Sequence, residues 1–194
     1  MTDELLMQAV RDGEVAKLGV LFERHHRAVF DFFCRTTGNR AVAEDLTQEV
    51  FVRMLKHRST YWDDGCFATW MFGIARNVRA DHFRRRRPMD QLGDDAQDTV
   101  GGAPGPARLA EQNQETALLR EALLRLREDR RELIVLARYR ELRYEQIAEL
   151  LGVDTGTIKT RMHRAIKELR DIYLGLTENK PCDAKTPLRT LRII

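Results

Sequence analysis

Apolar side chains recur at three- to four-residue intervals through nearly the whole chain, the spacing that lays one apolar stripe along a helix. No alternating strand pattern and no repeat at solenoid spacing interrupts it. The periodicity predicts helices around 3–11, 14–36, 41–57 and 66–86, with a turn at Gly38-Asn39. Residues 88–113 break the pattern: Pro88, Gly93, Gly101, Gly102, Pro104, Gly105 and Pro106 alternate with Asp90, Asp94, Asp95 and Asp98. Such a stretch has little apolar surface from which to build a core, so it reads as a linker. Helical spacing resumes around 114–127, 129–140, 144–151 and 155–174. The expected fold class is all-α, with two small helical domains joined by a flexible linker and a helix-turn-helix in the second. The domains are expected over 1–87 and 114–177, the linker over 88–113, and a basic tail, expected to be disordered, over 178–194.

The stretch from Tyr144 to Tyr173 carries the strongest local signal. Ile147, Ala148 and Leu151 share one face of a short helix, and Gly152 can adopt the left-handed conformation that ends it. Asp154 or Thr155 can cap the next helix. There Ile158, Met162, Ala165, Ile166, Leu169 and Tyr173 form a stripe predicted to be buried. At about 100° per residue, Lys159, Thr160, His163, Arg164 and Lys167 fall on the opposite face, with Arg161 at the edge of the stripe. A basic helix face is commonly only a solvated one. The short glycine turn, the cap and the donors gathered near the helix start distinguish this one as a DNA-binding layout, in which one helix braces and the other enters the major groove.

The first domain holds two further patterns. Over 41–57, Val42, Leu46, Val50 and Met54 step by four toward a core, while Glu44, Asp45, Gln48 and Glu49 gather elsewhere on the surface. Over 67–88, Trp70, Phe72, Ile74 and Phe83 mix apolar bulk with Arg76, Arg79, Arg84, Arg85, Arg86 and Arg87, against Asp81 alone. Such a surface can neutralise phosphates. Asn77 and Asp81 lie four apart, on one helical face, and can hydrogen-bond base edges. Trp70 reads first as a core residue. Tyr61 and Trp62 occupy a polar loop beside the basic helix that can receive an unstacked base.

Composition narrows the function classes. Basic and acidic residues nearly balance, 33 against 30, so the net charge of +3 says less than where the charges sit. No apolar run approaches the roughly 18 residues of a membrane span, and the acidic, amphipathic start is unlike a secretory signal. Cys34, Cys66 and Cys182 are far apart and odd in number, which supports neither a disulfide framework nor a zinc ribbon and fits a reducing cytoplasm. Asp63-Asp64 lacks a third ligand, and His25-His26 with Cys34 sits on an amphipathic helix. No P-loop, HExxH or supported nucleophile–base pair is present. No catalytic residue, metal site or cofactor is therefore expected, and the chain is read as a non-enzyme.

The string LLGVDTGTIKTRMHRAIKELR resembles the second conserved domain of bacterial RNA polymerase sigma factors of the small extracytoplasmic-function group. DLTQE resembles the segment with which that family docks on the clamp coiled coil of the polymerase's largest subunit. FATWMFGIARNVRADHFRRRRP resembles its promoter −10 segment. The resemblance spans about 14–87 and 114–175. It implies a promoter-specificity subunit that binds core polymerase, at the clamp and at the flap of the second-largest subunit, and also promoter DNA. It implies polymerase contacts at Asp45, Gln48 and Glu49. It implies −35 contacts at Lys159, Thr160, Arg161, His163, Arg164 and Lys167, and −10 contacts at Trp62, Trp70, Arg76, Asn77, Asp81, Arg84 and Arg85. It further implies an anti-sigma partner and no direct membrane insertion. The family's glycine and capping Ser or Thr ahead of the helix-turn-helix are replaced by Glu141 and Arg143, and a proline near Glu128 is absent. An arginine cannot cap as serine does, so a frayed or shifted brace helix is expected. A linker over 88–113 would span roughly 25–30 Å relaxed and about 85–90 Å extended. Promoter elements some 50 Å apart would need it stretched, so the free chain is expected to hold its domains collapsed or uncorrelated and to bind promoter duplex weakly. A stand-alone, dimeric helix-turn-helix regulator remains the alternative.

Overall fold

The computed structural model describes residues 1–62, 66–86, 108–138 and 142–178, with only the backbone described for 86 and 108–113. All regular structure among them is helical. Helix α1 spans Asp3–Arg11, α2 Lys17–Thr37, α3 Arg40–Lys56 and α4 Phe67–Arg86, with a single 3-10 turn at Arg58–Thr60. Helices α5 (Arg108–Arg125), α6 (Glu128–Arg138), α7 (Tyr144–Leu151) and α8 (Thr155–Glu178) follow. The first unit is α1–α4 and the second α5–α8.

Local chemistry sets the turns. Gly38 takes φ +74° to end α2, and a Cβ there would stand 3.1 Å from the Leu124 side chain, so the glycine also makes room for α5. Asn39 then starts α3, its side chain accepting the Val42 N–H at 3.0 Å. In the first unit Phe32 meets Phe33 and Phe72 edge-on, at 5.3 and 5.6 Å between ring centroids. Phe67, Met71, Val50 and Met54 complete a dry centre. Helix α1 is tied on by Asp3, which accepts from His25 at 2.7 Å and from Arg24 at 2.6 Å. Leu133, Leu136, Ile147, Ile158, Met162 and Leu169 centre the second unit. The buried cluster runs continuously between the units: α2 packs on α5 and α6, and α4 on α7.

Several expected boundaries move. Helix α5 begins at Arg108, inside the expected linker. The last glycine or proline of that stretch is Pro106, and the residues after it form helices readily. Helix α8 continues to Glu178, past the expected end of the domain. Residues 14–16 form turns rather than the first turn of α2, with Lys17 N–H bonded to the Glu14 carbonyl at 2.9 Å. Of the tail expected over 178–194, the residues from 179 on, Cys182 among them, lie outside the described residues, as do Asp63 and Asp64. No helix among the described residues is long and apolar enough to cross a membrane.

Candidate nucleic-acid and polymerase interfaces

The helix-turn-helix is α7, a turn, and α8. Arg143 supplies no side-chain cap, yet α7 starts at Tyr144 without shifting. Gln146 compensates: its side-chain oxygen accepts the Arg143 N–H at 2.6 Å. Gly152 sits at φ +65°, its N–H bonded to the Glu149 carbonyl at 3.1 Å and the Val153 N–H to that of Ala148 at 3.0 Å. This reciprocal closure ends a helix and turns the chain sharply. Asp154 then caps α8, accepting the Thr157 N–H at 2.8 Å and the Thr157 hydroxyl. Those bonds, the hydroxyl's first, hold the Asp154 carboxyl below its ordinary range.

Ile158, Met162, Ala165 and Leu169 are buried against α5, α6 and α7, and Tyr173 is half-buried. Ile166, expected in that stripe, is 38% exposed. It lies about 80° around the helix from Ile158, at the stripe's edge. On the other side Lys159, Thr160, Arg161, His163, Arg164 and Lys167 are all exposed. Thr160 donates its hydroxyl to the Gly156 carbonyl at 3.1 Å, leaving lone pairs outward.

Helix α4 has a more divided surface. Asn77 is exposed, and Trp70 is half-buried with its ring edge-on to Tyr61 at 5.2 Å. Arg53, His57, Thr60, Trp70, Gly73, Ile74 and Asn77 line a groove of about 360 Å³ between α3 and α4. Trp62 is 76% exposed and free to stack, whereas Tyr61, expected beside it in the loop, is a core residue at 1%. Its ring fills the space against Phe67 and Trp70. Asp81 is bonded within its own chain. One carboxylate oxygen accepts from Arg53 and the other from Arg84, each at 2.7 Å. The Arg53 hydrogen bond first of all holds this carboxyl below its ordinary range. Asp81 thus faces cations of its own chain before any base. Arg84 and Arg85 are exposed. The side chains of Arg86 and Arg87 lie outside the described residues.

Arg76, likewise a −10 candidate, lies on another side of α4. It turns from Asn77 by one residue's rotation, about 100°, and faces the second unit. Its guanidinium pairs with Glu132 at 2.9 Å and donates to the Leu150 carbonyl at 2.6 Å. Arg79 points the same way and is buried, with Glu132 at 3.1 Å and Glu128 at 3.3 Å. Two of its nitrogens, Nε and Nη1, are buried without a hydrogen-bond partner. Burial, and then the charge of Arg79, push the nearby Arg131 guanidinium down from its ordinary value. The basic helix is therefore split. Part of its charge faces outward, and part is spent between the units.

On α3, Leu46, Thr47, Val50 and Met54 are buried and Val42 is half-buried. Asp45 and Gln48 are exposed, and Glu49 is partly so. Glu49 accepts from Arg53 Nε at 2.7 Å. Arg53 belongs to none of the sequence motifs; its place four residues after Glu49 is the one signal the sequence carries for this pair. The histidine–cysteine pattern of α2 is structural. His25 is buried on Asp3 and tilted against Phe67, with ring centroids 5.1 Å apart. Burial, then Asp31, push the Cys34 thiol up, away from the nucleophilic thiolate. Among the described residues no group of three or more His, Cys, Asp or Glu is placed to hold a metal.

Comparison with known proteins agrees with this division. Residues 21–88 match the family described as Sigma-70 region 2, and residues 116–169 that described as Sigma-70, region 4. The RNA polymerase sigma factor CarQ of Myxococcus xanthus is 32% identical over 169 residues, covering 86% of this chain and 94% of that one. The ECF RNA polymerase sigma factor SigE of Mycolicibacterium smegmatis is 35% identical over 157 residues, 80% of this chain but 60% of that longer protein. The sigma factor RpoE of Bartonella quintana, solved with the anti-sigma factor NepR, shares the fold with a TM-score of 0.65 at 23% identity, covering 84% of this chain and 98% of that one. A motif on each of two helical units, both family matches and the near full-length likeness to CarQ converge. This chain belongs to the extracytoplasmic-function group of RNA polymerase sigma factors, non-enzymatic initiation factors that bind core polymerase and direct it to promoters.

Proposed function

We propose a division of labour among the residues described above. Helix α3 docks on the clamp coiled coil of the largest polymerase subunit through Asp45, Gln48 and Glu49, with opposite charge guiding encounter and register. The second unit meets the flap of the second-largest subunit. Helix α8 enters the major groove at the −35 element. Lys159, Thr160, His163, Arg164 and Lys167 work at or near base edges, and Arg161 on phosphate. Helix α4 and Trp62 meet the −10 element, where Trp70 and Asn77 line the groove that receives an unstacked base and the exposed Arg84 and Arg85 meet phosphates further along the helix. Stacking is worth about 1–3 kcal/mol per base, comparable to the cost of unstacking one. Local opening then proceeds without ATP once polymerase contacts contribute. The observation that carries this reading is the free outer face of α8, where every proposed −35 residue is exposed on a helix whose other face is buried.

Arg76 enters this scheme in a second state. The free chain holds it, with Arg79, against Glu132 and Glu128, so the −10 helix is partly engaged by the second unit before polymerase arrives. Stretching along a promoter breaks those pairs and returns Arg76 to the DNA side. By the same reading the protein works in the cytoplasm, is not an enzyme, needs no cofactor, and is held in check by an anti-sigma partner.

Run-off transcription by core polymerase with and without the chain tests the scheme. Specific transcripts are expected only when it is added, and Glu49→Lys is expected to weaken assembly with core while leaving the DNA-facing residues in place. Unchanged assembly would remove α3 as the docking helix.

A further inference from the structure

Arg53 joins two surfaces that the reading above treats separately. Its Nε donates to Glu49 on the proposed docking face, and its Nη1 donates to Asp81 on the −10 helix, both at 2.7 Å. Its side chain is 20% exposed, and it lines the α3–α4 groove together with Trp70 and Asn77. Arg84, on the outer surface of α4, takes the remaining oxygen of Asp81 at 2.7 Å. A planar guanidinium with a rigid fork of donors can hold two carboxylates at once in fixed orientation; a lysine ammonium cannot impose that geometry.

We propose that Arg53 is a positioning residue that couples polymerase docking to −10 recognition, by tying the docking carboxylate Glu49 to Asp81 and to the rim of the base-receiving groove. A basic group of the polymerase that engages Glu49 competes with Arg53 for the same oxygen. Arg53 then shifts its hydrogen bonding toward Asp81 and the groove, where Asn77 and Trp70 present a base with a donor and a stacking edge. The chain senses, on α4, that α3 is occupied. This inference rests on the assignment of α3 to polymerase and α4 to the −10 element.

The test uses the full chain with core polymerase. One measurement is affinity for core. The other is the ratio of run-off transcription from the best to the worst base at each −10 position. Arg53→Gln is expected to flatten that ratio by about tenfold, the scale seen when residues share one ion-pair network. Arg53→Lys keeps the charge and is expected to flatten it nearly as much, because the fork is lost; it also answers for any misfolding of the glutamine variant. Glu49→Gln should change the ratio when Arg53 is present and leave it unmoved in the Arg53→Lys background. Additive effects of the two changes, or an unaltered ratio in both Arg53 variants, overturn the coupling. Asp45→Lys touches neither Arg53 nor Asp81 and reads docking alone. If it weakens core binding while the Arg53 ratios hold steady, only the coupling fails. If it leaves core affinity intact, the docking assignment fails and takes the coupling with it.

Discussion

Replacing Glu132 by glutamine should open the free protein. Glu132 is 8% exposed at its side chain and faces Arg79 at 7% and Arg76 at 30%. Glutamine keeps the shape and removes the charge. In the closed form Arg79 would keep, among the described residues, the carboxylate of Glu128, 3.3 Å away and 56% exposed. Removing one partner of a buried ion pair costs about 3–5 kcal/mol, because the other charge is left uncompensated. The surviving contact with Glu128 and the wetter Arg76 pair bring this down to about 2–3 kcal/mol. In the open form the same arginines are hydrated, so the penalty falls on the closed form alone. At about 1.4 kcal/mol per tenfold, the closed-to-open ratio falls on the order of thirty- to a hundredfold. Small-angle scattering of the free chain should show a larger radius of gyration. Fluorescence anisotropy should show tighter binding of a single-stranded −10 oligonucleotide, since Arg76 is released. Adding Glu128→Gln removes the other carboxylate paired with Arg79 among the described residues and should extend both changes. A double variant that keeps its melting temperature, scatters like the parent and binds the oligonucleotide no better would refute the idea that these pairs hold the units together.

Other changes probe one surface each. Arg164→Ala should relax base preference within the −35 element at a cost of about 1–3 kcal/mol per contacted base pair, read by gel shift of the holoenzyme on promoter variants; equal losses at every variant would demote Arg164 to a phosphate contact. Asn77→Ala should reduce open-complex formation on duplex promoters more than on a template with a pre-opened −10 bubble, measured by permanganate footprinting. Gly38→Ala should destabilise the fold by about 1–2 kcal/mol, since an L side chain pays that much in the left-handed region and the added Cβ presses on Leu124; thermal unfolding reads this directly. For Asp154 the hydrogen bond from the Thr157 hydroxyl, first of all, holds the folded carboxyl below its ordinary value. The stability it contributes is present above the unfolded value and is lost as pH falls through the lower folded one, so an acid titration of Asp154→Asn should lack that last step.

Much of this molecule is written in short-range pattern. Periodicity placed the helices, and the order Gly152, Asp154, Thr157 specified a turn and a cap whose partners lie within a few residues. The outward face of α8 follows from the same arithmetic, because burying Ile158, Met162, Ala165 and Leu169 leaves Lys159, His163 and Arg164 no other direction. Even the start of α7 was settled locally, by Gln146 rather than by Arg143.

What the one-dimensional string left open was the partner of each charge. Every arginine of α4 reads alike in sequence, yet Arg84 stays outside while Arg76 and Arg79 turn to Glu132, more than fifty positions away along the chain. Asp81 reads as a candidate base acceptor, and nothing local to it records that α3 brings Arg53 to the same carboxylate from 28 residues away. Tyr61 read as a loop aromatic until Phe67 and Trp70 closed around it. The physical reason is the range of the forces. Helix propensity, capping and amphipathic burial act over one or two turns and leave their trace in neighbouring letters. An ion pair in a partly buried seam depends on which distant surfaces the packing brings within about 4 Å, and no local spacing records that.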